Sequence, residues 1–219
     1  MDPAAGWTGS LFQRYLDGGL AMHPITACSL IAAATIVYKL LVFRRVRRGG
    51  GGLALQVRAL LLDGRIAEAL DACRRNGGPV GLVLRAGLVK HGASREEIER
   101  AMESVAAGEI GHLERYQGLL AGIVGFAPLL GFLGTVAGMI GTFDRIAQQG
   151  LSHPGPMAQG VSTALLATAW GILVAAGTKP FHGWFASRIA ACARDVEIAS
   201  SILLETFHEM ERLGAPAPR

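Results

Sequence analysis

The sequence predicts an all-α membrane protein with three spanning helices, and three observations carry that prediction. Residues 20–38, 116–143 and 146–178 contain no Asp, Glu, Lys or Arg. Each of these stretches can hold an apolar helix of the roughly 20 residues that cross a hydrocarbon core. Of the 219 residues 51% are hydrophobic and 17% are charged, against about 25% charged in ordinary globular domains. Mean hydropathy is +0.36, and this abundance of apolar residues also excludes disorder. Finally, Gly131, Gly134, Gly138 and Gly141 recur at intervals of three and four, a helical spacing inside the second charge-free stretch.

The elements follow in order. Residues 1–19 precede a first span over 20–43, which opens with His23-Pro24 and ends in Arg44-Arg45-Val46-Arg47-Arg48. A signal peptide carries its basic residues before the apolar run, so the reversed order predicts a retained anchor. Segment 44–118 is the largest polar part. Gly49 to Gly52 predicts a break, Leu53 to Arg75 a helix, and Asn76-Gly77-Gly78-Pro79 its stop. Val80 to Val89 is apolar but too short to span. Ser94 with Glu97 resembles a capping box, and the helix it starts at Arg95 is expected to run unbroken into the second span, 119–143. A link over 144–159, a third span over 160–182 and a tail over 183–219 complete the chain.

Lys and Arg set the orientation, because basic loops stay on the cytoplasmic side. Segment 1–19 holds one basic residue, 44–118 thirteen, 144–159 one and 183–219 four. The N-terminus and the link are therefore expected outside, the internal segment and the tail inside. The net charge of +4 comes mostly from 44–118. A face towards anionic lipid accounts for it, and no nucleic-acid partner is implied.

Signals for enzymatic chemistry are missing. Cys28, Cys73 and Cys192 form no CxxC pair, and the six histidines fall singly without metal-ligand spacing. No GxSxG or GxxxxGK[ST] occurs, and Gly131-x-x-Gly134 has no strand before it. Neither an enzyme, a metal nor a cofactor is expected. No Asp or Glu lies inside any span either. Ion relays across membranes usually need a titratable side chain at depth, so a partner must supply it if ions are moved.

Small residues let helix backbones approach closely in lipid. The stripe of Gly131, Gly134, Gly138 and Gly141 is one such packing seam, and Gly160, Ala164, Ala167, Gly171 and Ala175 form another on the third span. The two seams serve either an antiparallel hairpin or contacts between copies. Thr135 lies beside the first stripe, with Thr142 two turns along, and Thr168 beside the second, with Thr178 nearer the inside. Thr135 is eight residues in from Phe143 and Thr168 eight in from Gly160, which at about 1.5 Å per residue places both roughly 12 Å below the outer surface. Two hydroxyls at one level suit a polar ring. Alternatively each bonds the carbonyl four residues back and only packs.

The runs Ala127-Pro-Leu-Leu-Gly-Phe-Leu-Gly-Thr-Val-Ala-Gly-Met-Ile-Gly-Thr-Phe143 and Gly160-Val-Ser-Thr-Ala-Leu-Leu-Ala-Thr-Ala-Trp-Gly-Ile172 resemble the two signature spans of the MotA/TolQ/ExbB family. Met22-His-Pro24, Glu68-Ala-Leu70, Glu114-Arg-Tyr116 and the three-span plan extend the resemblance over nearly the whole chain. The resemblance implies a ring-shaped homo-oligomer, a pentamer, in the bacterial inner membrane. It also implies a dimer of single-span ExbD/TolR-like partners whose membrane-embedded Asp carries the ion. Thr135 and Thr168 would then line the ion pathway, with Thr142, Thr163 and Thr178 as secondary candidates. Thr163 stands where ExbB and TolQ usually carry Glu, and five residues from Thr168 turn it about 140° off that stripe. Lys179, near the inner interface, is expected to snorkel to headgroups. The implied function is an ion-channel-forming stator subunit that turns a proton or sodium motive force into work on the envelope. A non-conducting membrane scaffold is the competing reading.

Overall fold

The computed structural model describes residues 21–45, 50–149 and 154–212. The segment 1–19, Arg47-Arg48 of the basic run, Gly49, the centre of the link and the last seven residues lie outside them. The described residues form seven helices and no strand: α1 Met22–Arg45, α2 Gly50–Leu62, α3 Ile66–Asn76, α4 Gly78–Val89, α5 Arg95–Glu114, α6 Gln117–Gln149 and α7 Pro154–Arg212. Three of them, α1, α6 and α7, are long and apolar enough to cross a membrane. Pro128 lies inside α6 and Pro180 inside α7, and neither ends its helix.

Three local expectations are corrected. The helix from Arg95 is not continuous with the second span. It stops at Glu114, and Tyr116 adopts φ 63°, a left-handed conformation costing an L-residue about 1–2 kcal/mol. The stretch Leu53 to Arg75 is two helices, because Gly64 takes φ 75° and turns the chain between α2 and α3. Gly50 to Gly52 form the first turn of α2 rather than a break. The Ser94 cap is present, its hydroxyl accepting the Glu97 N–H at 3.3 Å.

The chain divides into two compact units. In one, which includes 116–183 and 21–37, the start of α1, α6 and the first half of α7 pack together. Gln117 Nε2 donates to the His182 carbonyl at 2.9 Å and ties the N-terminal end of α6 to α7.

The other unit includes 38–45, 50–115 and 184–212. Its core joins Leu53, Val57 and Leu61 of α2, Ala69 and Ala72 of α3, Val83, Leu84 and Leu88 of α4, Ile98 and Met102 of α5, and Val196, Ala199 and Leu203 of α7. Fully burying a Leu or Val stabilises by about 1.5–3 kcal/mol. Short apolar helices that cannot span are thus held by one another. Glycines let α4 in close: a Cβ at Gly81 would lie 2.8 Å from the Cys73 carbonyl oxygen, and one at Gly87 2.6 Å from both Met102 Sδ and a Leu203 methyl.

Candidate functional site

The two small-residue seams meet in one chain. A Cβ built at Gly131 would lie 2.8 Å from the Ala167 carbonyl oxygen and 2.9 Å from Thr168 Cα. At Gly138 it would lie 2.8 Å from Ala164 Cβ, and at Gly171 2.5 Å from the Ala127 carbonyl oxygen. Gly134 faces Ala167 Cβ, and Gly160 lies against the Thr142 hydroxyl. As the α6 number rises its α7 partner falls, so the helices form an antiparallel hairpin in near backbone contact. Ala164, Ala167 and Ala175 are buried. Gly141 departs from the seam, with nothing within 4 Å of its Cβ position.

Close approach decides where the hydroxyls go. Thr135 Oγ1 of α6 and Thr168 Oγ1 of α7 are hydrogen-bonded to each other. Thr168 also donates to the Gly131 carbonyl on the opposite helix at 3.0 Å. Thr135 has the Ala164 carbonyl across the seam and the Gly131 carbonyl of its own helix, both at 3.3 Å. Two protons are thus shared among more acceptors than they can fill, and both residues are only half-buried. Such a pair can reorient and can offer an oxygen lone pair to an ion or a protonated group.

The remaining candidates differ. Thr142 is buried and donates to Gly138 of its own helix at 2.8 Å, and Thr178, also buried, donates to Val174 at 2.7 Å. These are the carbonyls four residues back, the packing pattern that also serves Thr26 and Thr35. Thr163 is half-buried and forms no hydrogen bond among the described residues. Lys179 is exposed. No carboxylate takes part in any of these contacts, so the threonine seam presents dipoles but no group that ionises.

Sequence reasoning missed Lys39. Despite its charge it is 1% exposed, and its Nζ donates to the carbonyls of Leu113 at 3.0 Å and Arg115 at 3.2 Å. The last carbonyls of an α-helix lack partners within the helix, so Lys39 caps the end of α5. Its Nζ lies 5.4 Å from the Phe185 ring centroid, and Phe185 stacks on Phe43 at 5.6 Å. A cation inside an apolar span was the available signal, since such a residue is expected to pair or snorkel.

Residues 76–198 match the family described as the MotA/TolQ/ExbB proton channel family. The chain is 28% identical over 190 residues to a biopolymer transport ExbB homolog of Methanothermobacter thermautotrophicus, covering 86% of this chain and 67% of that one. It is 30% identical over 171 residues to a biopolymer transport ExbB-like protein of Synechocystis, covering 77% and 67%. Motility protein A of Helicobacter pylori is 29% identical over 153 residues, covering 70% and 53%.

Proposed function

The chain belongs to the MotA/TolQ/ExbB proton channel family, and from that premise we propose that it is the ring-forming stator subunit of an inner-membrane motor. A single-span partner of the ExbD/TolR kind, present as a dimer, brings the missing carboxylate. The observation that carries this reading is the Thr135–Thr168 pair, which crosses between two helices where Thr142 and Thr178 stay on their own.

The partner's span passes through a pentamer of these chains, enclosed by α6 and α7. A wall of Leu, Val, Ala and Gly gives an ion little to replace its hydration, so the ring alone conducts almost nothing. When the partner's Asp reaches the level of Thr135 and Thr168, their hydroxyls donate to its charged form and accept from its protonated form. That lowers the cost of cycling a carboxylate through an apolar interior. The N-terminus lies outside and 44–118 inside, by the count of basic residues. The work is done on the cell envelope, in biopolymer uptake, envelope maintenance or motility.

Thr135→Val and Thr168→Val keep side-chain shape and remove one hydroxyl each. In vesicles holding the chain with its partner, ion flux read by an entrapped pH- or sodium-sensitive dye is expected to fall at least tenfold while the complex still assembles. Thr163→Val is expected to do less harm. Full flux in both seam variants would make these packing residues and favour the scaffold.

A further inference from the structure

The helices α5 and α7 have a second face, set beside the one that packs on α4. Between them runs a groove of about 570 Å³ with Met102, Ile110 and Leu204 on its floor and Glu99, Glu103 and Glu197 on its rim. The three glutamates are exposed and enter no ion pair among the described residues. An apolar floor with an acidic rim fits a convex apolar ridge carrying a positive charge.

The same chain displays such a ridge. On α4, Leu82 and Val89 are 38% and 61% exposed, and Arg85, also exposed, lies between them on the same helix face. Arg85 too has no ion-pair partner among the described residues. A second apolar stripe, Leu55 and Leu62 of α2, is less suited, because its arginine, Arg58, is already paired with Glu209 at 3.1 Å.

We propose that the groove between α5 and α7 receives the Leu82–Arg85–Val89 ridge of a neighbouring copy, a head-to-tail contact that deepens the ring reading above and rests on it. Head-to-tail contacts need two different, complementary surfaces, and they close into rings when rotation carries one onto the other without a rise. Ridge and groove supply the two different, complementary surfaces. Gly87, on the buried face of α4 away from the ridge, packs on Met102 and Leu203, so the ridge lies alongside the stretch of α5 and α7 where Met102 and Leu204 line the groove.

The test uses the full chain with its three cysteines changed to Ala. One batch carries Leu82→Cys, and a second, distinguishable by mass, carries Ala107→Cys at the groove. The two are co-expressed together with the single-span partner, oxidised and read by mass spectrometry, with native mass spectrometry of the same samples reporting ring size. A cross-link between the batches is expected. Arg85→Glu or Glu103→Arg alone is expected to lower its yield about tenfold, and the double swap to restore it. Intact rings without the cross-link, or a cross-link insensitive to the charge swaps, would overturn the docking proposal and leave the ring reading standing. A monomer would overturn both, and a cross-link to the co-expressed partner instead would assign the groove to that partner and overturn the proposal.

Discussion

Gly131→Ala tests the hairpin where α6 meets the backbone of α7 beside Thr168. The added methyl would sit 2.8 Å from the Ala167 carbonyl oxygen and 2.9 Å from Thr168 Cα, where carbon contacts normally settle at about 3.5–4.0 Å. Both neighbours are backbone, so no side chain can swing away, and α6 and α7 must part locally by roughly 0.5–1 Å. Overpacking of this kind costs about 1–3 kcal/mol, against about 1 kcal/mol regained from the better helix propensity of Ala. The same displacement takes the Thr168 bond to Gly131 from 3.0 Å to beyond useful length. Gly141→Ala is the internal control, since nothing lies within 4 Å of its Cβ position. Unfolding in mixed micelles titrated with sodium dodecyl sulfate and followed by circular dichroism is expected to show a net loss of up to about 2 kcal/mol for Gly131→Ala. No loss is expected for Gly141→Ala. The reverse order, with Gly131→Ala as stable as the parent and Gly141→Ala weakened, would mean that the seam faces something other than α7.

Two further expectations concern the other unit. Lys39→Met keeps most of the apolar stem of the side chain but strips the donor from the Leu113 and Arg115 carbonyls, so amide hydrogen exchange over 111–115 should accelerate about tenfold, the equivalent of one charge-assisted bond of about 1.4 kcal/mol. Unchanged exchange would show that water already serves those carbonyls. Burial pushes the Cys73 thiol up to about 11, outweighing the opposing charge of Arg85. Its alkylation at pH 8 should therefore be about a hundredfold slower in the folded chain than after unfolding. Because the folded state keeps a proton that the unfolded state releases above about pH 9, this thiol makes stability fall as pH rises from there towards 11. Equal alkylation rates before and after denaturation would contradict the burial.

The spans were legible because an apolar interior forbids charge, and absence of charge over about 20 residues is visible without any structure. The seam was legible for a similar reason: glycine at helical spacing has few uses in lipid other than close approach. Counting residues also predicted that Thr135 and Thr168 share a level. It could not tell which threonines reach across, because that depends on the azimuth of each side chain and the distance between axes, and so Thr142 and Thr178 looked much like the other two. The turn at Tyr116 carries no local signal, since tyrosine is no marker for a left-handed conformation. Gly64 did carry one, but the leucine and alanine periodicity on both sides of it suggested a single helix. Gly50 to Gly52 join α2 despite poor propensity, because Leu53, Ala54 and Val57 are drawn into the core just beyond.

Backbone contact along the α6–α7 hairpin has a mechanical meaning. Most helix pairs are separated by a layer of side chains that can change rotamer, and such a layer acts as a bearing across which one helix can slip. Here glycine and alanine remove the layer. A twist of α6 about its own axis would swing Phe132 or Leu133, now exposed at 63% each, towards Ala164 and the Ala167 carbonyl, where even one methyl has no room. The two helices are therefore geared to each other and turn, tilt or shift only as a clamped pair. Any sliding surface between moving parts therefore lies outside the hairpin.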